Sequence, residues 1–496
     1  MSEHAPILAL LYPFLSAFVV ALVGQKYRSL CLPVTLMALL GGLAASANAL
    51  LQAVHHGAID YHLAGWSPPF GIHYRVDVFN GLVMVLISIV GLLAAVFSHR
   101  SLPAEFAANP KKIPLYYTLY LLLITGLLGM TVTADAFNLY VALEISSLTT
   151  YALIAVRKGR AVMAAYHYVI MGTIGASFYL LGVGYLYIKT GSLNMLDIHE
   201  IIVSEGLIGS PSIKVAFILI MVAVWIKMAF FPLHGWLPNA YTFAPATTSA
   251  VLAPLMTKVT VYVMIRMMLT VFGVEYLFSI DWSAVVVVLA SLTIVAGSIF
   301  ALAQRDLQKM LCYLIISEVG YMVGGAWMLN EPGIVGAIYH IVADALMTLC
   351  LFLAAGAIIY KTKDHDLDAL HNLFARMPWT MTGFTIGALS MIGLPPTCGF
   401  ISKWYLVQGG IAAGHYIYVV ALLIASLTNA ILFFRIFEIA YIKQDDSKDQ
   451  APVVRDDAPG TMIAPLLTVA LSLILVGIFN ESIVSMIRAF VQGALL

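Results

Sequence analysis

Charge is what this 496-residue chain has least of: 25 basic and 25 acidic residues make up 10% of it, against about 25% in an ordinary soluble domain. With 61% hydrophobic residues, so little charge excludes a soluble globular enzyme and a basic nucleic-acid binder. Cysteine is scarce too. Cys31, Cys312, Cys350 and Cys398 stand far apart in apolar segments, without the CxxC spacing of a zinc or redox site. There is no GxGxxG fingerprint, no GxxxxGK[ST] phosphate loop and no cysteine set for an iron–sulfur cluster. No cofactor is expected, so energy from a nucleotide or a redox centre, if used, must arrive through another subunit.

What the chain has instead is apolar runs of about 20 residues, each long enough to cross a hydrocarbon core. Fourteen recur: 5–24, 30–53, 78–98, 113–133, 136–156, 163–188, 213–233, 245–272, 282–303, 309–329, 333–360, 381–410, 414–438 and 461–490. The expected fold is an all-α polytopic membrane protein. MSEHAP lacks a basic n-region, so the first run is expected to stay as a span. Alternate loops (QKYR, HRSLPAEFAANPKK, RKGR, QRDLQK, KTKDHDLDALHNLFAR and KQDDSKDQAPVVR) hold 16 of the 25 basic residues, whereas the opposite loops hold only Arg75, Lys189 and Lys214. The positive-inside rule makes the first set cytoplasmic and puts both termini outside.

Six basic residues fall within spans: Lys227, Lys258, Arg266, Lys403, Arg435 and Arg488. A charge at the bilayer centre costs roughly 3 kcal/mol on insertion scales, so it is seldom kept without a partner or a task. Acidic residues join them, Glu144 in AFNLYVALEISSLTTYALI and Glu318 in KMLCYLIISEVGYMVGG. Glu318 follows Glu144 by 174 positions, Lys403 follows Lys227 by 176, Arg435 follows Lys258 by 177 and His340 follows His167 by 173. These offsets predict a five-span repeat, spans 4–8 and 9–13, whose second copy is inverted because five is odd. The units expected are the first three helices over 1–112, an ion-translocating unit over 113–272, its inverted copy over 282–438, and a last helix over 461–496. Proline breaks the seventh span after Lys227, in FFPLHGWLPNAYTFAP, and the twelfth before Lys403, in IGLPPTCGF. Such breaks inside a membrane are tolerated against protein or water.

The stretches FNLYVALEISSLTTYALIA, FFPLHGWLPNAYTFAPATTSAVLAPLMTKVTVYVMIR, QRDLQKMLCYLIISEVGYM and GLPPTCGFISKWYLV resemble the antiporter-like subunits of respiratory complex I, membrane-bound hydrogenases and Mrp-type multisubunit cation/proton antiporters, most closely the D-type subunits of the last. The resemblance implies fourteen helices and a midplane chain of protonatable groups. Glu144 matches the acid of the fifth helix, Lys227 and Lys403 the lysines of the broken seventh and twelfth, and Lys258 that of the eighth. A lysine removed from water loses much of its preference for the charged form, and a nearby carboxylate restores it. A Glu144–Lys227 pair that opens and closes is therefore a proton switch, and a fixed pair merely sets helix register. Lys258, His340 and Lys403 are expected to relay the proton onward; a lone histidine such as His340 serves equally as a hydrogen-bonded core residue. His234, at the first break, is expected to line a water-filled entry.

Departures from the family pattern make the second unit more acidic. Where relatives carry HxxxHAxxK, this chain has His340, Asp344 and Thr348, and Glu318 stands where an amide is common. Glu318 and Asp344 either hold sodium or potassium through oxygen or carry protons in place of the lost basic groups. His167 stands where relatives have Lys or Arg, so it is a further candidate for the relay. Residues 54–77 hold His55, His56, His62 and His73 with Asp60 and Asp77. Their spacing fits no zinc template, so an interfacial loop with aromatic anchors is expected, and no metal. The polar stretch 439–460 reads as a solvated loop. The resemblance implies a bacterial inner-membrane protein that exchanges sodium or potassium for protons beside other membrane subunits. The alternative is a redox-driven proton pump of the complex I or hydrogenase kind.

Overall fold

The computed structural model describes residues 4–441 and 455–495, so most of the stretch expected as a solvated loop lies outside the described residues. The chain opens with α1 (Ala5–Val23), α2 (Cys31–His56) and α3 (Val78–Glu105). Between α2 and α3 runs an antiparallel hairpin, β1 (Ile59–His62) with β2 (His73–Val76). Next come α4 (Lys112–Val132), α5 (Ala136–Ala155), α6 (Arg160–Thr190) and a short amphipathic α7 (Met195–Ser204). The seventh span is split into α8 (Pro211–Lys227) and α9 (Leu237–Phe243). Then α10 (Ala246–Arg266) passes through a π-helical turn, Met267–Phe272, into α11 (Gly273–Ile280). The second half holds α12 (Ser283–Leu302), α13 (Leu307–Trp327), α14 (Glu331–Thr362), a single-turn α15 (Leu373–Arg376) and a twelfth span split into α16 (Pro378–Ile392) and α17 (Cys398–Ala412). Last are α18 (Tyr416–Tyr441), α19 (Gly460–Ile478) and α20 (Asn480–Leu495). Twelve of the described helices are long and apolar enough to cross a membrane; the two split spans complete the fourteen crossings expected.

The repeat is written in the backbone. Asp135 caps α5 by accepting the Asn138 N–H at 2.6 Å, and Asp306 caps α13 by accepting that of Lys309 at 2.9 Å. Each cap lies in a short antiparallel bridge: Ala136 N–H to Leu193 O and Met195 N–H to Ala134 O in the first copy, Leu307 N–H to His365 O and Leu367 N–H to Arg305 O in the second. Position 306 follows 135 by 171 and 365 follows 193 by 172. Gly126 and Gly297, again 171 apart, let α4 and α12 approach α5 and α13 so closely that a Cβ there would lie 2.7 and 2.6 Å from the backbone nitrogens of Ser146 and Ser317. The second copy is inverted. Asp306 and His365 line one surface cavity with Arg157, Lys158 and Arg160, which follow the far end of α5, whereas Asp135 lies at its near end, beside the hairpin through Ala134 N–H to His73 O.

This register refines the sequence offsets. At 171 positions the counterpart of Glu318 is Ser147, one helical turn from Glu144, so the two buried acids are displaced relatives and not equivalents.

Three further differences follow from local polarity. The final apolar run is not one span, because the chain turns at Phe479 and resumes as α20, whose polar Glu481, Ser485 and Arg488 alternate with buried Val484, Ile487 and Val491. Segment 54–77 is not a single loop, since His55 and His56 end α2 and residues 59–76 form the hairpin: His62 stacks on His73, and His73 Nε2 meets Asp60 at 2.8 Å while Nδ1 meets the Asn194 amide at 3.1 Å. Trp66 and Phe70 at its tip are exposed. No group of three or more metal-ligating side chains occurs among the described residues. Finally, Arg266 is held bidentately by the α3 cap Asp77, at 2.7 and 2.9 Å, with Phe79, Tyr262 and Phe490 of α20 around its guanidinium. Breaking a buried pair by removing one partner costs roughly 3–5 kcal/mol. Arg266→Ala is therefore expected to lower the thermal unfolding midpoint of the detergent-solubilised protein clearly, and an unchanged midpoint would show the pair to be dispensable.

Candidate functional site

The most enclosed helices carry the charges. Within its apolar window α14 is wholly buried and α13 nearly so, and almost every residue of α10 is buried as well. Lys258 lies on α10, Glu318 on α13, and His340 and Asp344 on α14; all four are 0% exposed. They form two clusters, with a third on one flank and Lys403 on the other.

The flank cluster joins α5 and α8. Lys227 ends α8, where the break begins, and donates from Nζ to Ser147 Oγ at 2.7 Å and to Tyr151 Oη at 3.5 Å. Ser147 passes its own hydroxyl proton to Leu143 O, so its oxygen is free to accept. Glu144 Oε1 stands 4.0 Å from Nζ with no hydrogen bond of its own. Trp236, past the break, donates to the Ile226 carbonyl at 2.9 Å and stacks on Tyr168 at 3.8 Å, so aromatic side chains close the gap left in the helix. Gly172 makes room for this arrangement: a Cβ there would lie 1.8 Å from Tyr151 Oη.

The second cluster is a pair that the sequence does not announce. Lys258 Nζ lies 2.8 Å from Asp344 Oδ2 and donates to Thr348 Oγ1 at 3.3 Å and Ala253 O at 3.2 Å, while Thr348 donates to Asp344 Oδ1 at 2.8 Å. Asp344 and Thr348 thus receive the lysine of α10. At an effective dielectric constant of ~20 the attraction is about 6 kcal/mol at 2.8 Å, against about 4 kcal/mol at 4.0 Å. The inner pair is the tighter one. Glu144, about one-quarter exposed, is further weakened by solvent screening.

In the third cluster His340 Nε2 meets Glu318 Oε2 at 2.7 Å and Nδ1 meets Ser402 Oγ at 2.8 Å. Ser402 donates to Gly399 O at 3.0 Å, which leaves its oxygen to accept from Nδ1–H. One proton is then shared between Nε2 and Oε2: the pair is imidazolium with carboxylate or imidazole with carboxylic acid, and exchange between them needs only a short transfer.

Lys403 has a different kind of partner. The break at Gly393 to Thr397 frees the last carbonyls of α16, and Lys403 Nζ donates to Met391 O at 2.8 Å, Ile392 O at 3.2 Å and Ser426 Oγ at 3.2 Å, 5.2 Å from the centre of the Tyr321 ring. A helix C-terminus carries partial negative charge, so the prolines prepare a cation seat without a carboxylate.

Glu144, Lys227, Lys258, Asp344, Glu318, His340 and Lys403 are all drawn into these arrangements. His234 lies half-buried at the first break, stacked between Phe231 and Phe300, its Nδ1 without a hydrogen-bond partner. His167 and Arg435 are exposed on the outer faces of α6 and α18 and join no cluster. Sequence reasoning passes over Ser147, Tyr151 and Ser402. Ser147 and Tyr151 stand at i+3 and i+7 from Glu144, a same-face spacing that could have found them.

The profile of the transmembrane family described as NADH:quinone oxidoreductase/Mrp antiporter matches residues 133–428, which takes in both five-span units except the first span and the end of the last. The chain belongs to this family. It is 40% identical to the N subunit of the NADH-quinone oxidoreductase of Desulforudis audaxviator, over 98% of both chains. With the D subunit of the Na(+)/H(+) antiporter of Alkalihalophilus pseudofirmus it shares 30% identity, over 96% of this chain and 94% of that one. The expected likeness to the antiporter protein is there, and the redox-complex relative is nearer than it. A chain of the membrane-bound sulfane sulfur reductase, an archaeal respiratory membrane complex, superposes with a TM-score of 0.88 at 27% identity, covering 99% of this chain and 97% of that one.

Proposed function

We propose that this chain is a proton-translocating component of a multi-subunit, Mrp-type antiporter in a bacterial cell membrane, exchanging sodium or potassium for protons. It is a transporter component and not a catalyst of bond chemistry. The observation that carries the reading is the succession of acid–base clusters within the spans of two inverted units: Glu144 near Lys227, Lys258 with Asp344, Glu318 with His340, then Lys403. Ionisable groups so deep in a membrane are functional by default. The first unit (113–272) and the second (282–438) each contribute clusters, and the basic loops face the cytoplasm.

Glu318 and Asp344 serve as proton carriers in this scheme and not as a cation site. Each already faces a base, His340 and Lys258, and two carboxylates alone offer too few oxygens to a dehydrated alkali ion, which takes several. The exchanged cation then crosses elsewhere in the assembly.

A second reading, a proton pump driven by electron transfer, is favoured by the 40% identity to a protein of a quinone oxidoreductase. Proton flux in vesicles carrying the whole assembly separates the two. The antiporter reading expects flux under an imposed pH gradient only when sodium or potassium is present; flux that needs an electron donor and neither cation would replace it with the second.

A further inference from the structure

We propose that His73, on the face away from the basic loops, is a pH-sensitive latch: its neutral ring holds the residue that caps α7, and its protonation frees α7 from the π-helical turn that ends α10. The latch needs no transport to operate; its effect on flux rests on the proton-transport reading.

Hydrogen-bond accounting fixes the state of the ring. Asn194 Oδ1 is committed to the start of α7, where it accepts the N–H groups of Leu196 at 3.0 Å and Asp197 at 3.3 Å. Its Nδ2 therefore faces His73 Nδ1, at 3.1 Å, and donates to it. An accepting Nδ1 carries no proton, so the ring is neutral and its proton lies on Nε2, which donates to Asp60 Oδ1 at 2.8 Å. Asp60 also receives Arg75, at 3.1 Å. The other charged or titratable groups on the elements packed here are His62 of β1, stacked on the ring, Asp77 at the end of the hairpin, Asp135 before α5 and Asp197 on α7. The three carboxylates are spent on Arg266, the Asn138 N–H and the Ser192 hydroxyl.

A proton added to Nδ1 would point at an amide N–H. The two backbones are tied through Ala134, whose N–H donates to His73 O at 2.9 Å and whose carbonyl accepts the Met195 N–H at 2.8 Å, so a side chain must give way. Asn194 turns over, because a hydrogen bond from a charged ring outweighs those of neutral amides, and α7 loses its cap. Burial pushes the His73 pKa below its ordinary value, against the pull of Asp60. A base whose pKa is lowered in the closed form binds its proton better once open, so opening is favoured as pH falls below about 6.5.

What α7 covers is the end of α10. His199 Nδ1 donates to Val271 O, inside the π-helical turn, at 3.3 Å, and its ring fills the space left by Gly273, where a Cβ would lie 2.5 Å from Cε1. Leu196, one of the two capped residues, lines a small cavity with Arg266 and Thr270. Arg266 stands eight positions, about two turns, beyond Lys258. Loss of the cap thus loosens the seat of the helix that carries the inner lysine, at a π-helical turn, a feature frequent at functional sites.

Exchange and flux test the latch in vesicles carrying the whole assembly. Between about pH 8 and about pH 5, either side of the ordinary imidazole range, the Leu196 and Asp197 amides are expected to exchange about fivefold faster in acid relative to their intrinsic rates, the effect of one lost cap. The midpoint should match that of the His73 ring, followed by exchange of its C2 hydrogen. His73→Asn keeps an acceptor for the Asn194 amide but cannot titrate, and should abolish the change. Asn194→Asp keeps the cap and offers Nδ1–H an oxygen, so the His73 midpoint should rise by about one unit or more while α7 stays protected in acid. Unchanged α7 exchange across the His73 titration, or an acid response that persists in either variant, would overturn the latch. Acid on the hairpin face should also slow proton flux severalfold more in the unaltered complex than in His73→Asn. An equal slowing, with α7 opening as expected, sinks the control of α10 alone, whereas absence of flux from the unaltered complex at every pH sinks the transport reading and leaves the latch standing.

Discussion

Lys258→Ala and Asp344→Asn, made singly in the assembled complex, are each expected to reduce proton flux at least about tenfold, equivalent to roughly 1.4 kcal/mol on the limiting barrier. Both side chains are fully enclosed and lie 2.8 Å apart, so either change also strands a partner in a low-dielectric interior and is expected to destabilise the chain by roughly 3–5 kcal/mol. Loss of flux alone therefore cannot tell a carrier from a fastener. The paired replacement can. Lys258→Met together with Asp344→Val removes both charges, and substituting apolar groups for a buried pair is often neutral or stabilising. Assembly and thermal stability should then recover, measured by the yield and unfolding midpoint of the purified complex, while flux stays low. Recovery of flux together with stability would show that Lys258 and Asp344 only hold α10 to α14.

Much of this arrangement is legible in the chain without its fold. Apolar run length yields the fourteen crossings, since nothing but membrane spans needs so many runs near 20 residues. Proline locates both broken helices, because a missing N–H and a clash with the preceding turn act locally. Glu144, Lys227, Lys258 and Lys403 stand out because charge inside an apolar run is costly whatever the packing. Partnership is not legible. Lys258 and Asp344 are 86 positions apart on helices whose facing sides are set by tertiary packing, and no periodicity in either segment reports it. The register of the repeat is also hidden: charges give offsets of 173 to 177, whereas caps, bridges and close-packed glycines give 171 and 172. A buried charge can slide by a turn within a repeated scaffold, and Glu318, the counterpart of Ser147, has done so. Span length alone likewise joins α19 to α20, because apolar residues continue on both sides of the turn at Phe479.

That slide bears on how the outer cluster works. In the first unit Ser147 stands between Lys227 and Glu144, donating to Leu143 and accepting from the lysine, so the ammonium is held by a neutral hydroxyl while its carboxylate waits at 4.0 Å. In the second unit an acid occupies the serine's position and bonds directly to His340. The first cluster is the looser, and a loose pair is the one able to open and close. Glu144→Gln and Lys227→Ala are each expected to slow proton flux by roughly 10- to 100-fold, or about 1.4–2.7 kcal/mol. Their combination should slow it little more than the worse single change. An attraction of about 4 kcal/mol at this distance, reduced by the exposure of Glu144, leaves a coupling of about 1–2 kcal/mol for the double-mutant cycle to register. Ser147→Ala should have a smaller effect, since the carboxylate can move in as the hydroxyl leaves. Strictly multiplicative losses would mean that Glu144 and Lys227 act independently, and the switch would then have to be sought in the shared proton of Glu318 and His340.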